Sequence, residues 1–297
     1  MLPTPCTAHV PFDTIYEPAE DSYLFLDTLS SASETTWLIQ QFAAPSPSPT
    51  ILEVGSGSGV VLAFLVANSP TILGRADVLS LATDLNRTAC LATRETVAKA
   101  IAAQQQTTTT TRPSTNPDAA PASHSPSTHA NPSMKSTHLA SVQSNLAASF
   151  KPGSIDILLF NPPYVPTEAV PRAPTAADFE TGDAAATRSE QFERESYLLS
   201  LTYAGGKDGM EITDRLLADL PRVLSPRGVG YVLLCAQNRP REVVERIRGW
   251  TEGLDEEGEG SRRRRRRGRW CAEMAGFSGT KAGWEKLVIV RVWREDL

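Results

Sequence analysis

The chain has 297 residues, 40% of them hydrophobic and 21% charged, which is enough apolar material for one large α/β domain, while 22 Pro and 19 Gly point to irregular segments within it. Its 29 basic and 34 acidic residues leave a formal charge of −5, so no overall positive field holds a nucleic-acid backbone and a DNA or RNA binder is disfavoured. Cys6, Cys90, Cys235 and Cys271 are scattered without a CxxC pair, which fits neither a zinc site nor a disulfide-stapled secreted fold. No stretch approaches the roughly 20 apolar residues that cross a bilayer, and no leader is evident, so a cytoplasmic protein, with the nucleus as a second location and no membrane contact, is expected.

In chain order, Tyr16 to Ser31 reads as a helix with Pro18 in its first turn and Glu20 and Asp21 where the helix dipole favours negative charge. Thr50 to Val54 is a buried strand ending at a glycine cluster, followed by a helix over Val60 to Asn68. A second strand, Val78 to Thr83, ends before Asp84 and leads to a helix from Asn86 to Ala103. Gln104 to Thr137, with its Gln and Thr runs, has little to bury and reads as a disordered insertion. Ile155 to Phe160 is a third apolar strand, ending at Asn161. Beyond it come a helix (Gly209 to Leu224), a strand (Gly228 to Cys235), a helix (Arg239 to Trp250), a weak strand (Arg269 to Phe277) and a last strand (Lys286 to Trp293). Continuous apolar strands alternating with helices predict a doubly wound, mostly parallel α/β sheet in a single domain spanning residues 1–297.

Residues 252–269 carry five acids and then the run Arg262 to Arg267 with Arg269. Such a run serves either as a solvated loop between helix and strand or as a nucleic-acid or nuclear-import patch, and the neighbouring acids and glycines favour the loop. His124, His129 and His138 fall in or beside the first insertion without ligand spacing, so no metal site is expected there.

Two short segments carry chemistry. The first is Ile51-Leu52-Glu53-Val54-Gly55-Ser56-Gly57-Ser58-Gly59, a strand, then alternate glycines, then a helix. The spacing is not the GxGxxG of dinucleotide binders, and no Lys-Ser/Thr closes it as a phosphate loop. It is either a cofactor turn or a tight structural corner. Asp84, at the end of the next strand, stands where a carboxylate takes both hydroxyls of a ribose, or else caps the following helix.

The second segment, Asn161-Pro162-Pro163-Tyr164, follows the third apolar strand. The tetrapeptide resembles the Asn-Pro-Pro-Tyr motif of methyltransferases acting on planar amino groups, a reaction that requires holding the NH2 in line with a methyl donor while its hydrogens are accepted. Asn161 offers a side-chain carbonyl, Pro162 a main-chain carbonyl fixed by rigid rings, and Tyr164 a flat face for stacking. These bonds strengthen as positive charge develops on nitrogen, and most of the rate comes from orientation. The resemblance of this motif extends to enzymes methylating adenine N6, guanine N2 and glutamine amide nitrogen, so by itself it leaves the target open among them.

The pattern Glu53-x-Gly55-x-Gly57-x-Gly59 resembles motif I of the class I S-adenosylmethionine-dependent methyltransferases. Taken with Tyr16-Glu17-Pro18-Ala19-Glu20-Asp21-Ser22 before it, the Asn161 tetrapeptide, and Gly205-Gly206-Lys207-Asp208-Gly209 after it, the chain resembles the HemK-like protein-(glutamine-N5) methyltransferases, in the eukaryotic branch acting on the class 1 release factor. The resemblance implies a Rossmann-like seven-stranded sheet, S-adenosyl-L-methionine as cofactor, the glutamine of a Gly-Gly-Gln loop as target, and a small zinc-binding activator subunit as partner in a heterodimer. It also implies cofactor contacts at Ser22, Glu53, Gly55, Gly57, Gly59, Asp84, Asn145, Leu146 and Asn161, and catalytic or substrate contacts at Asn161, Pro162, Pro163 and Tyr164. Asn145 stands where the family often has Asp, and its amide oxygen is expected to accept from the adenine amino group. Other amino nitrogens, a histone lysine or adenine N6 in DNA, are the competing targets.

Overall fold

The computed structural model describes residues 2–42, 44–110, 135–175, 178, 187–250, 268–279 and 286–296. The apolar runs form the middle of a seven-stranded sheet, with β1 (Thr50–Val54) and β4 (Ile155–Phe160) at its centre. Every residue of β4 is buried, as a strand covered on both faces requires. β2 (Leu79–Asp84) and β3 (Thr137–Gln143) extend the sheet on one side. β5 (Leu224–Cys235), then β7 (Leu287–Asp296) and β6 (Gly268–Phe277), extend it on the other, giving the order 3-2-1-4-5-7-6. Strands β1 to β5 are parallel; β7 runs antiparallel to both β5 and β6.

Helices cover both faces: α1 (Glu20–Ser30), α2 (Ala32–Phe42), α3 (Val60–Ala67), α4 (Ser69–Ile72), α5 (Arg87–Thr110), α6 (Arg188–Tyr203), α7 (Glu211–Val223) and α8 (Pro240–Arg248). Alternation along the strands divides the core in two. Ile157 and Leu159 pack with α1, α2, α3 and α5, whereas Leu158 and Phe160 pack with α7 and α8. Among the described residues no helix is long and apolar enough to cross a membrane.

Several boundaries differ from the sequence-based expectation. The first helix starts at Glu20, because Ala19 is extended (φ −129°, ψ −162°), so Pro18 stands before the first turn. Gln104 to Thr110 belongs to α5, not to an irregular insertion; once a helix is nucleated, each added residue gains a hydrogen bond, and Ala and Gln extend it readily. At the other side of that segment Thr137 already opens β3. Residues 111–134 and 251–267, which hold most of the two predicted insertions, lie outside the described residues. Three elements had no clear apolar run to announce them: α2, α6 and β3. β3 is an edge strand whose burial alternates, and α6 is announced by the Thr187-x-x-Glu190 capping box at its start.

Candidate active site

A cleft opens where the carboxyl ends of β1, β2, β3 and β4 meet α1 and the segment after Tyr164, the usual ligand position in an open α/β sheet. It brings together Ser22, Glu53, Gly55, Gly57, Asp84, Asn145, Leu146, Asn161, Pro162 and Pro163 from the predicted set. Gly59 and Tyr164 do not line it.

The glycine loop turns from β1 into α3 through left-handed residues, with φ of +62°, +52° and +74° at Gly55, Gly57 and Gly59. Side chains are strained in that region, so glycine makes the turn possible. Gly59 does a different job from the other two. A Cβ there would lie 2.7 Å from the Thr93 backbone, so its missing side chain lets α3 sit directly against α5. The expectation that Gly59 touches the cofactor is corrected accordingly.

Glu53, at the end of β1, is buried and accepts a hydrogen bond from the amide of Leu62 in the first turn of α3 at 3.1 Å. Burial, reinforced by the nearby Asp84 carboxylate, pushes its pKa up to about 8 against the opposing pull of that amide. Asp84 is likewise raised by burial, more than its amide hydrogen bonds lower it. Its Oδ2 accepts from the Gly57 amide at 2.9 Å and its Oδ1 from the Asn86 amide at 2.8 Å. The capping alternative for Asp84 fails, because Asn86 caps α5 with its own side chain, accepting from the Thr88 amide at 2.9 Å. Asp84 ties the glycine loop to the end of β2.

Asn161 closes the other side. Its Nδ2 donates to Asp21 Oδ2 at 3.0 Å, and Asp21, 4% exposed, also accepts at Oδ1 from the Ser22 amide (2.6 Å) and hydroxyl (3.2 Å). A carboxylate accepts and does not donate, so this contact fixes the amide's direction: the nitrogen faces α1. Asn161 Oδ1 is buried and has no hydrogen-bond partner among the described residues. An orphaned buried acceptor is costly, and it is retained where a ligand supplies the missing donor. Sequence reasoning had assigned Asp21 only to the helix dipole; its position beside the Ser22 contact was the available signal.

Pro162 and Pro163 line the cleft, but Tyr164 does not provide its flat face. The Tyr164 ring packs against the core, and its carbonyl sits where a Cβ on Gly209 would be. Asn238 holds this loop, its Nδ2 donating to the carbonyls of Asp208 (3.0 Å) and Tyr164 (3.4 Å). Val165 then bridges to Ala204, with Gly205 N–H donating to the Val165 carbonyl at 2.8 Å. Apolar walls come instead from Val170, Pro171, Ala173, Leu198 and Leu201.

Asn145 lies exposed at the rim of the cleft. Its Oδ1 accepts from Arg215 Nη2 at 3.0 Å and is therefore already engaged. Leu146 beside it adopts φ +52°, an uncommon conformation for a branched side chain.

The chain is 30% identical to methyltransferase HEMK2 of Mus musculus over 259 residues, 85% of this chain and 87% of that one. With methyltransferase HEMK2 of Homo sapiens it shares 30% over 257 residues, 84% and 86% of the two chains. The chain belongs to the HEMK2 methyltransferase family. A third relative, 28% identical over 249 residues (82% and 84% of the two chains), is the eRF1 methyltransferase catalytic subunit mtq2 of Schizosaccharomyces pombe. No protein-family model matches the chain.

As a HEMK2-family enzyme the protein uses S-adenosyl-L-methionine, and the residues present fit that molecule. The cleft joins a carboxylate beside a glycine turn, the buried Glu53 at the end of β1, and an amide oxygen without a partner among the described residues. It offers no arginine or lysine cradle of the kind a phosphate-rich cofactor needs; Arg215 is the basic residue in its lining.

Proposed function

We propose that this enzyme methylates the N5 side-chain amide nitrogen of the glutamine in the Gly-Gly-Gln loop of the eukaryotic class 1 release factor. The observation that carries the reading is the unpartnered Asn161 Oδ1 at the cleft, aimed by Asp21. S-adenosyl-L-methionine, when bound, supplies an electrophilic methyl on its sulfonium. Ser22, Glu53, Gly55, Gly57, Asp84 and the Asn145-Leu146 pair hold that molecule, with Asp84 assigned to the ribose hydroxyls.

Asn161 Oδ1 and the Pro162 carbonyl take the two hydrogens of the target amide, which leaves the nitrogen facing the donor. The amide is neutral and its protons become acidic only as the N–C bond forms and the methyl leaves the sulfur, so two fixed acceptors hold the N–H groups while the bond forms and one proton then passes to water. Asp21 is a positioning residue: it holds the Asn161 amide in the one orientation that presents oxygen to the substrate. Val170, Pro171, Ala173, Leu198 and Leu201 exclude water around the amide and favour a small, uncharged target over a lysine ammonium.

The name of the fission-yeast relative, a release-factor methyltransferase catalytic subunit, supports this substrate and a second subunit. We assign that subunit to a small zinc-binding activator. The zinc is assigned to that partner. The edge strand β3, with Leu139 53% exposed, is the kind of surface such a partner covers. The cytoplasm, where release factors act, is the proposed location, with the nucleus second. Labelled cofactor incubated with the purified complex and release factor tests the reading: the native loop glutamine takes up label, and its replacement by alanine removes it. Equal labelling of both would reject the assignment.

A further inference from the structure

The cofactor's own connectivity fixes where its base lies. With the methyl donor at Asn161 after β4 and the ribose at Asp84 after β2, the base continues past β2 to the loop after β3, where Ser144, Asn145 and Leu146 line the cleft. Helix α7 braces this loop with two arginines two turns apart, which lie on one face. Arg222, clamped by Asp219 (2.5 and 2.7 Å), donates to the carbonyls of Phe150 at 2.8 Å and Ala147 at 3.1 Å. Arg215 donates to Asn145 Oδ1 at 3.0 Å and itself lines the cleft. Between these anchors the backbone is held in the left-handed turn at Leu146.

A guanidinium donates through every nitrogen and accepts through none. Arg215 therefore decides the direction of the Asn145 amide: oxygen toward α7, and Nδ2 hydrogens left for the cleft. We propose that Arg215 is the positioning residue for the base of the cofactor and turns Asn145 into a hydrogen-bond donor. The chain then reads an acceptor on the base, such as a ring nitrogen, and not the exocyclic amine of adenine. A carboxylate at position 145 has two oxygens, one for Arg215 and one for that amine; the amide has one, and with that oxygen turned to Arg215 its NH2 is the group left to face the base. This inference rests on the cleft being the S-adenosyl-L-methionine site.

Hypoxanthine carries a carbonyl acceptor in place of the amine and a proton on N1 in place of adenine's ring acceptor, so an amide donor can still meet its carbonyl oxygen whereas an acceptor at position 145 loses the amine, which separates the two modes of recognition. Calorimetric titration of the full chain, with any subunit that co-purifies, against S-adenosylhomocysteine and its hypoxanthine counterpart gives the ratio of the two affinities. The wild type is expected to bind both within about threefold, because an amide donor meets an acceptor on either base. Asn145→Asp restores an acceptor, and its preference for adenine rises by about tenfold, the value of one well-placed hydrogen bond. Arg215→Leu frees the Asn145 amide to turn its oxygen into the cleft and moves the ratio the same way, by about fivefold, while Arg215→Lys, still a pure donor, keeps the wild-type ratio. Both positions are exposed, so thermal unfolding of the variants matches the wild type. A wild type that prefers adenine by tenfold or more, with Arg215→Leu leaving that ratio unchanged, overturns the proposal and leaves the cofactor site standing. Binding of neither nucleoside overturns the cofactor assignment along with it.

Discussion

The two ends of β4 carry buried polar side chains that are treated in opposite ways. At the amino end, Asp156 is saturated: Oδ1 accepts from Ser225 Oγ (2.7 Å) and Arg227 Nε (2.9 Å), and Oδ2 from the Thr50 amide and Arg227 Nη2 (both 3.0 Å). At the carboxyl end, Asn161 has its nitrogen held by Asp21 and its oxygen left without a partner. One lies near the start of β4 and the other directly after its end, yet one group closes the base of the fold and the other is kept open. A satisfied buried carboxylate serves stability, whereas an oriented but unsatisfied amide serves a ligand, since the protein bears its desolvation cost until a donor arrives.

That contrast can be broken most sharply at Asn161. Replacing it with alanine should lower the turnover number by about 10²–10³-fold, the range for losing one fixed polar group at a reacting centre. Stability should fall by only about 1 kcal/mol, for the single Asp21 bond. Single-turnover kinetics beside chemical denaturation checks both, and a variant with near-normal turnover would remove Asn161 from the chemistry. The mirror experiment is Asp156→Ala. It should cost about 3 kcal/mol of stability, the low end for breaking a buried pair because the Arg227 side chain is 25% exposed, with cofactor affinity preserved in the folded protein. Loss of cofactor affinity without loss of stability would erase the distinction between the two ends.

Asp84→Ala should weaken cofactor binding by about 1.5–3 kcal/mol, as for hydrogen bonds to a charged group, while α5 stays capped by Asn86. Unchanged affinity by calorimetry would reduce Asp84 to a brace for the Gly57 turn. The effect seen only through pH concerns Glu53. Its pKa in the fold, about 8, lies above the ordinary 4.5, so the folded chain holds a proton that the unfolded chain releases. The stability this gives is fully present below about pH 4.5 and is lost as pH rises toward 8. Glu53→Gln escapes that loss. Its melting temperature relative to wild type should therefore climb by roughly 10 °C between pH 5 and pH 8.5, at roughly 2–4 °C per kcal/mol, and parallel pH profiles for the two proteins would count against a protonated Glu53.

The contrast also marks how far the sequence could be read. Apolar runs long enough to be covered on both faces announced β1, β2 and β4, and the glycine spacing and the Asn161 tetrapeptide located two walls of the cleft. β3 escaped because an edge strand is half solvated and carries no continuous apolar signal. Gly59 and Tyr164 fitted a motif, but their places are set by packing: one by the approach of α5 at Thr93, the other by the backbone at Gly209. Asp21, Arg215 and Asn238 reach the site from distant segments of the chain, and no local pattern records such a meeting.

By itself, then, the amino-acid order determined the sheet, the cleft end of its strands and the family of chemistry, because hydrophobic period and turn residues act over neighbouring positions. Only the folded arrangement decided which way each amide points. The direction of Asn161 is set by a carboxylate 140 positions earlier and that of Asn145 by a guanidinium 70 positions later. Hydrogen-bond polarity is a property of the partner across space, and the chain must close before the partner exists.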